Sequence, residues 1–473
     1  MSNSELRRRK VQEHEKSSTT KKRKSKKPKP SSIQTPLICL IISGTILTAF
    51  LVLYADQIPW HIGNQAIDDL AKRFLGYHKP IHAVVIDAGS TGSRVLAYTF
   101  HKSYLGDSLV LDKELFEYNK PGLSSFAKEP EKGAAKIAAL LELAKKEIPQ
   151  GYWGKTPLIL KATAGLRLLP AEQAENLLNS VKELFKRTPF LTDENSVEIM
   201  DGTDEGIFSW FTVNFLLNKI NSDPANTVAA LDLGGGSTQV TFAAVTPSSL
   251  QDKENIHQAT SPSGSIPVFT HSYLGLGLMA GRKAVISNGQ GDSVNITCKC
   301  VNPVVKNKKF HYHGTDYYVS GLQEGYSTSK TVETEHVGEE IPVVDVTECS
   351  KIIQDYVEDI SSKLRPPEEL PLKAIFAFSY YYDKASQAGL IDFDKGGQVK
   401  VADFKKQAQR TCHEANPEQP FICMDMTFIW LLLEKGFGLS LDTRIYLYKK
   451  ISGHEISWAL GAAYDVLRKS KSV

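Results

Sequence analysis

Val84-Val85-Ile86-Asp87-Ala88-Gly89-Ser90-Thr91-Gly92 and Ala229-Ala230-Leu231-Asp232-Leu233-Gly234-Gly235-Gly236-Ser237-Thr238 are two copies of one device. In each, a short apolar run of the kind that forms a strand buried on both faces delivers an aspartate, then breaks into a turn of small residues. The glycines read as positions where the backbone takes φ > 0 and brings N–H groups close to an anion, while Ser90, Thr91, Ser237 and Thr238 add hydroxyl donors. One such turn is most often a tight hairpin with its Asp as a turn cap. Two matching copies in one chain point instead to a polyphosphate held between them. Asp87 and Asp232, facing each other across that anion, make a site for a hard divalent cation, Mg2+ or Ca2+, held partly through water.

Around the two turns, strands alternate with helices. Residues 95–100 and 239–242 are β-rich, 158–160 is another buried strand, and 132–148 and 171–187 carry apolar residues at helical spacing. A strand at 374–378, a Leu-rich helix near 426–434 and a closing helix at 457–468 complete an α/β chain with mixed sheets. The Ser-rich, polar residues 247–267 read as a surface loop.

Hydrolysis also needs a base to activate water, and Glu205 in Asp201-Gly202-Thr203-Asp204-Glu205-Gly206 is the candidate. Acids at a helix start also serve as simple dipole partners. Gly202 and Gly206, read as openings to the backbone, favour function, and a carboxylate in a phosphate-rich cleft is expected to have a raised pKa. Tyr380, Tyr381 and Tyr382 follow a buried strand and read either as a platform for a nucleobase or as packing. Trp458 reads as core.

The 473 residues, 41% hydrophobic, suit two domains or lobes with sizeable cores. The net charge of +3 is misleading, because residues 1–30 hold twelve Lys and Arg against three Glu, leaving the remainder at about −6. A mildly acidic body argues against a nucleic-acid partner. Residues 36–55 are apolar and uncharged, long enough to span a bilayer, and the basic residues before them orient that tail to the cytosol. The expectation is a type II signal anchor preceded by a basic tail (1–35) and followed by a stem (56–80), with the body facing a lumen or the outside.

Five cysteines then lie in an oxidising compartment. Cys412 and Cys423 are close enough to staple one loop, and Cys349 takes either Cys298 or Cys300. Asn295-Ile296-Thr297 is a glycosylation sequon beside that loop.

Ile86-Asp-Ala-Gly-Ser-Thr-Gly-Ser-Arg94, Lys161-Ala-Thr-Ala-Gly-Leu-Arg-Leu-Leu169, Asp201-Gly-Thr-Asp-Glu-Gly206, Leu231-Asp-Leu-Gly-Gly-Gly-Ser-Thr-Gln239 and Phe378-Ser-Tyr-Tyr-Tyr382 resemble, in order and spacing, the five signature regions of the nucleoside triphosphate diphosphohydrolases, or apyrases. The wording is most similar to the single-span, lumenal or secreted nucleoside-diphosphatase branch. The resemblance implies a two-lobed α/β fold of the actin, sugar-kinase and heat-shock-ATPase type, ribonuclease-H-like in each lobe, with substrate in the cleft between them. Lobe I would be 81–200 plus 446–473, and lobe II 201–445.

It also implies roles. Glu205 is the base, Ser237 and Gln239 place the water, Ser90, Thr91, Gly92, Thr163, Gly235 and Gly236 grip phosphates, and Asp87 and Asp232 hold the metal's water shell. By the same resemblance the bridges are Cys300–Cys349 and Cys412–Cys423. Cys298 departs from the pattern and is free to pair between chains. The expected activity is metal-dependent removal of the terminal phosphate of nucleoside diphosphates such as UDP and GDP in the Golgi or endoplasmic reticulum lumen, or from a secreted, cleaved form, in support of glycosylation. The alternative is a nucleotide-binding switch with slow incidental hydrolysis.

Overall fold

The computed structural model describes residues 42–45, 79–103, 108–262, 264–323, 327–330 and 340–470. The chain divides into two units, Met1–Gly63 and Asn64–Val473, and the second carries everything that follows. The expected basic tail lies outside the described residues, as do the stem except for 79–80 and the anchor except for 42–45. Among the described residues no helix is long and apolar enough to cross a membrane.

The first sheet is built from β1 (Ile81–Ala88), β2 (Ser93–Lys102), β3 (Leu109–Asn119), β4 (Leu158–Ala162) and β5 (Val197–Ile199), in the order β3-β2-β1-β4-β5. β1 to β3 form an antiparallel meander, and β4 and β5 add parallel to β1. The second sheet contains β6 (Ala229–Leu233), β7 (Ser237–Ala243), β8 (Ile256–Ser261), β9 (Gly264–Leu274), β10 (Ile375–Ser379), β11 (Gly397–Lys400) and β12 (Arg444–Leu447), ordered β11-β12-β10-β6-β7-β9-β8. Its central part, β9-β7-β6-β10-β12, repeats the meander-plus-parallel plan of the first. The sequence duplication is therefore a duplication of topology, and both Asp-Gly turns are the first hairpin of their sheet.

Helices fill the layers. α1 (Pro130–Glu147) and α2 (Ala171–Phe185) cover one face of the first sheet through Ile137, Leu141, Leu177 and Val181. Between the sheets lie α3 (Gly202–Leu216) and, from the far end of the chain, α9 (Trp458–Lys469), where Trp210, Phe211, Leu460 and Ala463 share a core with Val85 and Leu96 on one side and Ala230 and Phe378 on the other. The outer face of the second sheet is packed by α4 (Leu278–Ile286), α5 (Val346–Ser361), α6 (Tyr380–Gln387), α7 (Val401–His413) and α8 (Ile422–Leu431). α3 is buried nearly all round, as a helix shared by two layers must be.

Two bridges form, Cys300–Cys349 and Cys412–Cys423. Cys298 is free but only 4% exposed, which corrects the expectation of pairing between chains: a second chain has no access to a thiol enclosed in the core. Residues 247–267 are likewise not a loop. They form a helical turn, Pro247–Leu250, then β8 and the start of β9, with Ser263 outside the described residues. β8 is an edge strand whose outward positions are polar, so it lacks the apolar run that marks the central strands.

α3 runs against the sheet on its glycines. A Cβ on Gly206 would lie 2.2 Å from Thr270 Oγ1 and 2.5 Å from Thr241 Oγ1, two hydroxyls that hydrogen-bond each other at 2.7 Å. Gly206→Ala must therefore push the helix off β7 and β9, and chemical denaturation should show a loss of about 1–3 kcal/mol. A stability equal to wild type would mean that α3 slides freely on its sheet.

Candidate active site

Each aspartate closes its strand opposite a cross-strand partner seven residues on. Asp87 pairs in register with Arg94, and Asp232 with Gln239. The first hairpin thus neutralises its carboxylate, Arg94 Nη1 lying 3.1 Å from Asp87 Oδ2. The second carries a neutral amide instead. Gln239 Nε2 reaches Ser237 Oγ at 2.8 Å, Ser272 Oγ on β9 at 3.0 Å and Glu205 Oε2 at 3.1 Å.

Helical spacing explains why α3 serves this hairpin. Asp201 caps the helix by accepting from the Thr203 N–H at 2.7 Å. Glu205 and Ser209, four residues apart, share one face. From it Glu205 meets Gln239, and the Ser209 hydroxyl donates to Asp232 Oδ2 at 3.1 Å. Arg167 closes the group by pairing with Glu205 and reaching Ser272 Oγ at 3.4 Å.

Asp87, Asp232 and Glu205 are all buried. Desolvation, opposed by Arg167 and reinforced by Asp232 and Asp87, pushes the Glu205 carboxyl up to about 8. Asp232 rises to about 6, chiefly by burial, with hydrogen bonds from Ser379 and Ser209 holding it back. Asp87 is raised by burial against the pull of Arg94. Glu205 feels both aspartates, and Asp232 feels Asp87.

Close approach, not left-handed backbone, explains the turn glycines. None of Gly89, Gly92, Gly234, Gly235 and Gly236 has positive φ, which corrects the expectation from sequence. A Cβ on Gly235 would fall 2.1 Å from Ser90 Oγ, the hydroxyl at the equivalent position of the other turn. One on Gly236 would lie 2.8 Å from Ala164 Cβ, and one on Gly165 2.8 Å from Ser90 Cα. The short helical turn Ala164–Arg167 is thus wedged between both hairpins, with Thr163 as its N-cap. Gly202 and Gly206, expected to open the backbone, lie inside α3 and serve its packing, with Glu205 in the helix's first turn.

Carbonyls of the second turn are held from behind. Leu278 N–H donates to Gly234 O, and Met279 and Ala280 to Gly235 O, each at 2.9 Å. The N-terminus of α4 is used on the turn itself.

Tyr381 and Tyr382 are 0% and 2% exposed, on the core side of α6, so they are packing and no base can stack on them. Tyr380 lies at the site, its hydroxyl donating to Thr91 Oγ1 of the opposite turn at 3.2 Å, and the buried Tyr381 hydroxyl stands 3.4 Å from Thr238 Oγ1. Asn295 is exposed.

Residues 78–472 match the GDA1/CD39 (nucleoside phosphatase) family. The chain belongs to that family. It is 39% identical over 395 residues to nucleoside diphosphate phosphatase ENTPD5 of Homo sapiens, covering 82% of this chain and 88% of that one. Ectonucleoside triphosphate diphosphohydrolase 6 of Rattus norvegicus is 39% identical over 406 residues, covering 83% and 84%. A crystal structure of nucleoside triphosphate hydrolases from Neospora caninum shares the fold at 16% identity and a TM-score of 0.53, over 87% of this chain and 97% of that one. The two-lobed α/β architecture expected from sequence is borne out.

In this GDA1/CD39 chain the site contains further residues to which sequence reading gave no role. Arg94 and Arg167 stand inside quoted motifs, where a cation beside a phosphate turn was the available signal. Ser209 and Ser272 carry no local signal, since only the packing of α3 on β6, β7 and β9 brings them in.

The raised carboxyl of Asp232 has a consequence for stability. Its ordinary value is 3.8, so between about pH 4 and pH 6 the unfolded chain gives up a proton that the native state retains, and stability falls as pH rises through that window, then levels off. A carboxamide in its place would still accept from Ser209 without that penalty. With chelator present, Asp232→Asn should therefore match wild type near pH 4 and exceed it above pH 6, by at most about 3 kcal/mol. Equal thermal stability of the two proteins at pH 7.5 would refute this.

Proposed function

We propose that this GDA1/CD39 protein is a nucleoside diphosphatase that transfers the terminal phosphoryl group of a nucleoside diphosphate to water. The observation that carries the reading is Glu205, buried on α3 and bonded to Gln239, which in turn holds Ser237. A structural acid at a helix start needs no such partners. Turnover, not a slow switch, is what a base so placed supports.

Water held by Ser237 and Gln239 attacks the terminal phosphorus in line. The new P–O bond forms from water, the anhydride bond breaks, and the nucleoside monophosphate leaves. Glu205 takes the water's proton, and its raised pKa makes it a stronger base than an exposed carboxylate. Ser90, Thr91, Thr163 and the amides of Gly92, Gly235 and Gly236 hold phosphate oxygens, with Arg94 and Arg167 balancing charge nearby.

Asp87 Oδ1 is buried with no hydrogen-bond partner, and Asp87 lies close enough to Asp232 to raise that carboxyl. Two carboxylates among hydroxyls fit a hard cation that keeps most of its water, Mg2+ or Ca2+. When bound, such an ion neutralises charge on the phosphates. Its retention would rest on Asp87 and Asp232.

The relatives' printed names support a diphosphate substrate, and UDP and GDP follow if the body faces the secretory lumen behind a type II anchor at 36–55. The two disulfides and the exposed sequon at Asn295 favour that compartment. There the enzyme would clear the diphosphates that glycosyltransferases release.

Glu205→Gln in the lumenal body should release phosphate from UDP at least about 10²-fold more slowly than wild type. Near-normal turnover would sink the base assignment, and wild-type activity surviving excess EDTA would sink the metal requirement. Initial rates on UDP, GDP, ADP, CDP and ATP rank the substrates.

A further inference from the structure

The Gln239 amide carries two hydrogens and has three oxygens within their reach. Its Nε2 lies 2.8 Å from Ser237 Oγ, 3.0 Å from Ser272 Oγ and 3.1 Å from Glu205 Oε2. Arg167 relieves the shortage, because its guanidinium donates to Glu205 Oε2 and reaches Ser272 Oγ at 3.4 Å. Arg167, Glu205, Gln239 and Ser272 thus close a ring of four hydrogen bonds, and a Gln239 hydrogen is spared for Ser237. Both bonds to Glu205 end on Oε2, so Oε1 is the oxygen that the ring does not engage. Gln239 Oε1 stands outside the ring as well, buried with no partner.

Strand register explains how Ser272 comes to be there. β7 runs antiparallel between β6 and β9, with Asp232 opposite Gln239 and Gln239 opposite Ser272. Residues directly opposite one another project from the same face of a sheet, so these three form a single row. In the first sheet the same row reads Asp87, Arg94 and Tyr118, and it ends in an exposed ring. The second row ends under a helix. A Cβ on Gly202 would fall 2.3 Å from Ser272 Cβ and 2.7 Å from Arg167 Nη1, so the first turn of α3 rests on this pair. Ser272 is the point at which β9, the start of α3 and the Arg167 turn meet.

We propose that Ser272 is a positioning residue of the hydrolytic centre: its hydroxyl anchors the Gln239 amide from the β9 side and braces Arg167. The two donors that hold Glu205 Oε2 are thereby fixed, and Glu205 Oε1 and Gln239 Oε1 remain as acceptors for the attacking water. Ser272 acts through Gln239 and touches neither phosphate nor water.

Ser272→Ala removes the hydroxyl but keeps the Cβ on which α3 packs. It should lower kcat on UDP about 10-fold, with KM within about threefold and a melting temperature within about 3 °C of wild type. Because the hydroxyl works through the amide, the same substitution added to Gln239→Ala should cost less than about threefold more. Losses that multiply in the double variant overturn the proposal, as does Ser272→Ala turning over within about twofold of wild type. A loss confined to KM overturns it by making the hydroxyl a substrate contact, and a melting temperature lowered by more than about 3 °C overturns it by making the role structural. The proposal rests on the diphosphatase reading, and wild type assayed alongside keeps the two apart. Wild type inactive on every nucleoside diphosphate sinks both, whereas active wild type with equally active Ser272→Ala sinks only this one.

Discussion

Three carboxylates buried in one volume are the constraint on which the rest depends. Asp87, Asp232 and Glu205 each resist ionisation because they are desolvated, and Glu205 is pushed further by both aspartates. Arg94 and Arg167 offset part of the charge, and serine and glutamine side chains orient what remains. Such a cluster holds together only if the surrounding backbone comes very close, and glycines at 165, 206, 235 and 236 permit that. A centre of this kind is destabilised as long as it stands empty, and an electropositive ligand group relieves it.

The two sheets began as equivalent, and their difference is chemical. At matched positions the first hairpin sets Arg94 against its aspartate and the second sets Gln239. On the proposed reading, a fixed cation suits a turn that holds anionic oxygens, and a neutral amide linked to Ser237 and Glu205 suits one that handles water. The inequality expected of the turns thus resides in one residue of each β-hairpin.

Local features were legible in the sequence and distant ones were not. Apolar runs ending in Asp-Gly located both hairpins, and helical periodicity found α1 and α2 to within a few residues. Edge strand β8 was missed because polar outward positions leave no apolar run. Tyr381 and Tyr382 could be read as packing or platform until α6 turned them into the core. Glycine was credited with conformational freedom where its use is lack of volume, a distinction that needs the neighbouring segment. Ser209 and Ser272 enter only through helix-on-sheet packing.

The sandwiched helices have a bearing on biogenesis. β1 is the first described strand, and the face it turns toward the second sheet is covered by α9, the last described element. Gly461 seals that seam, its N–H donating to Thr212 Oγ1 of α3 at 3.0 Å. During synthesis, then, the first sheet must wait with Ala83, Val85 and Leu96 not fully covered until α9 has emerged. Through that interval the nascent protein presents an apolar surface of the kind chaperones hold, and a chain truncated before α9 would be expected to stay in their custody.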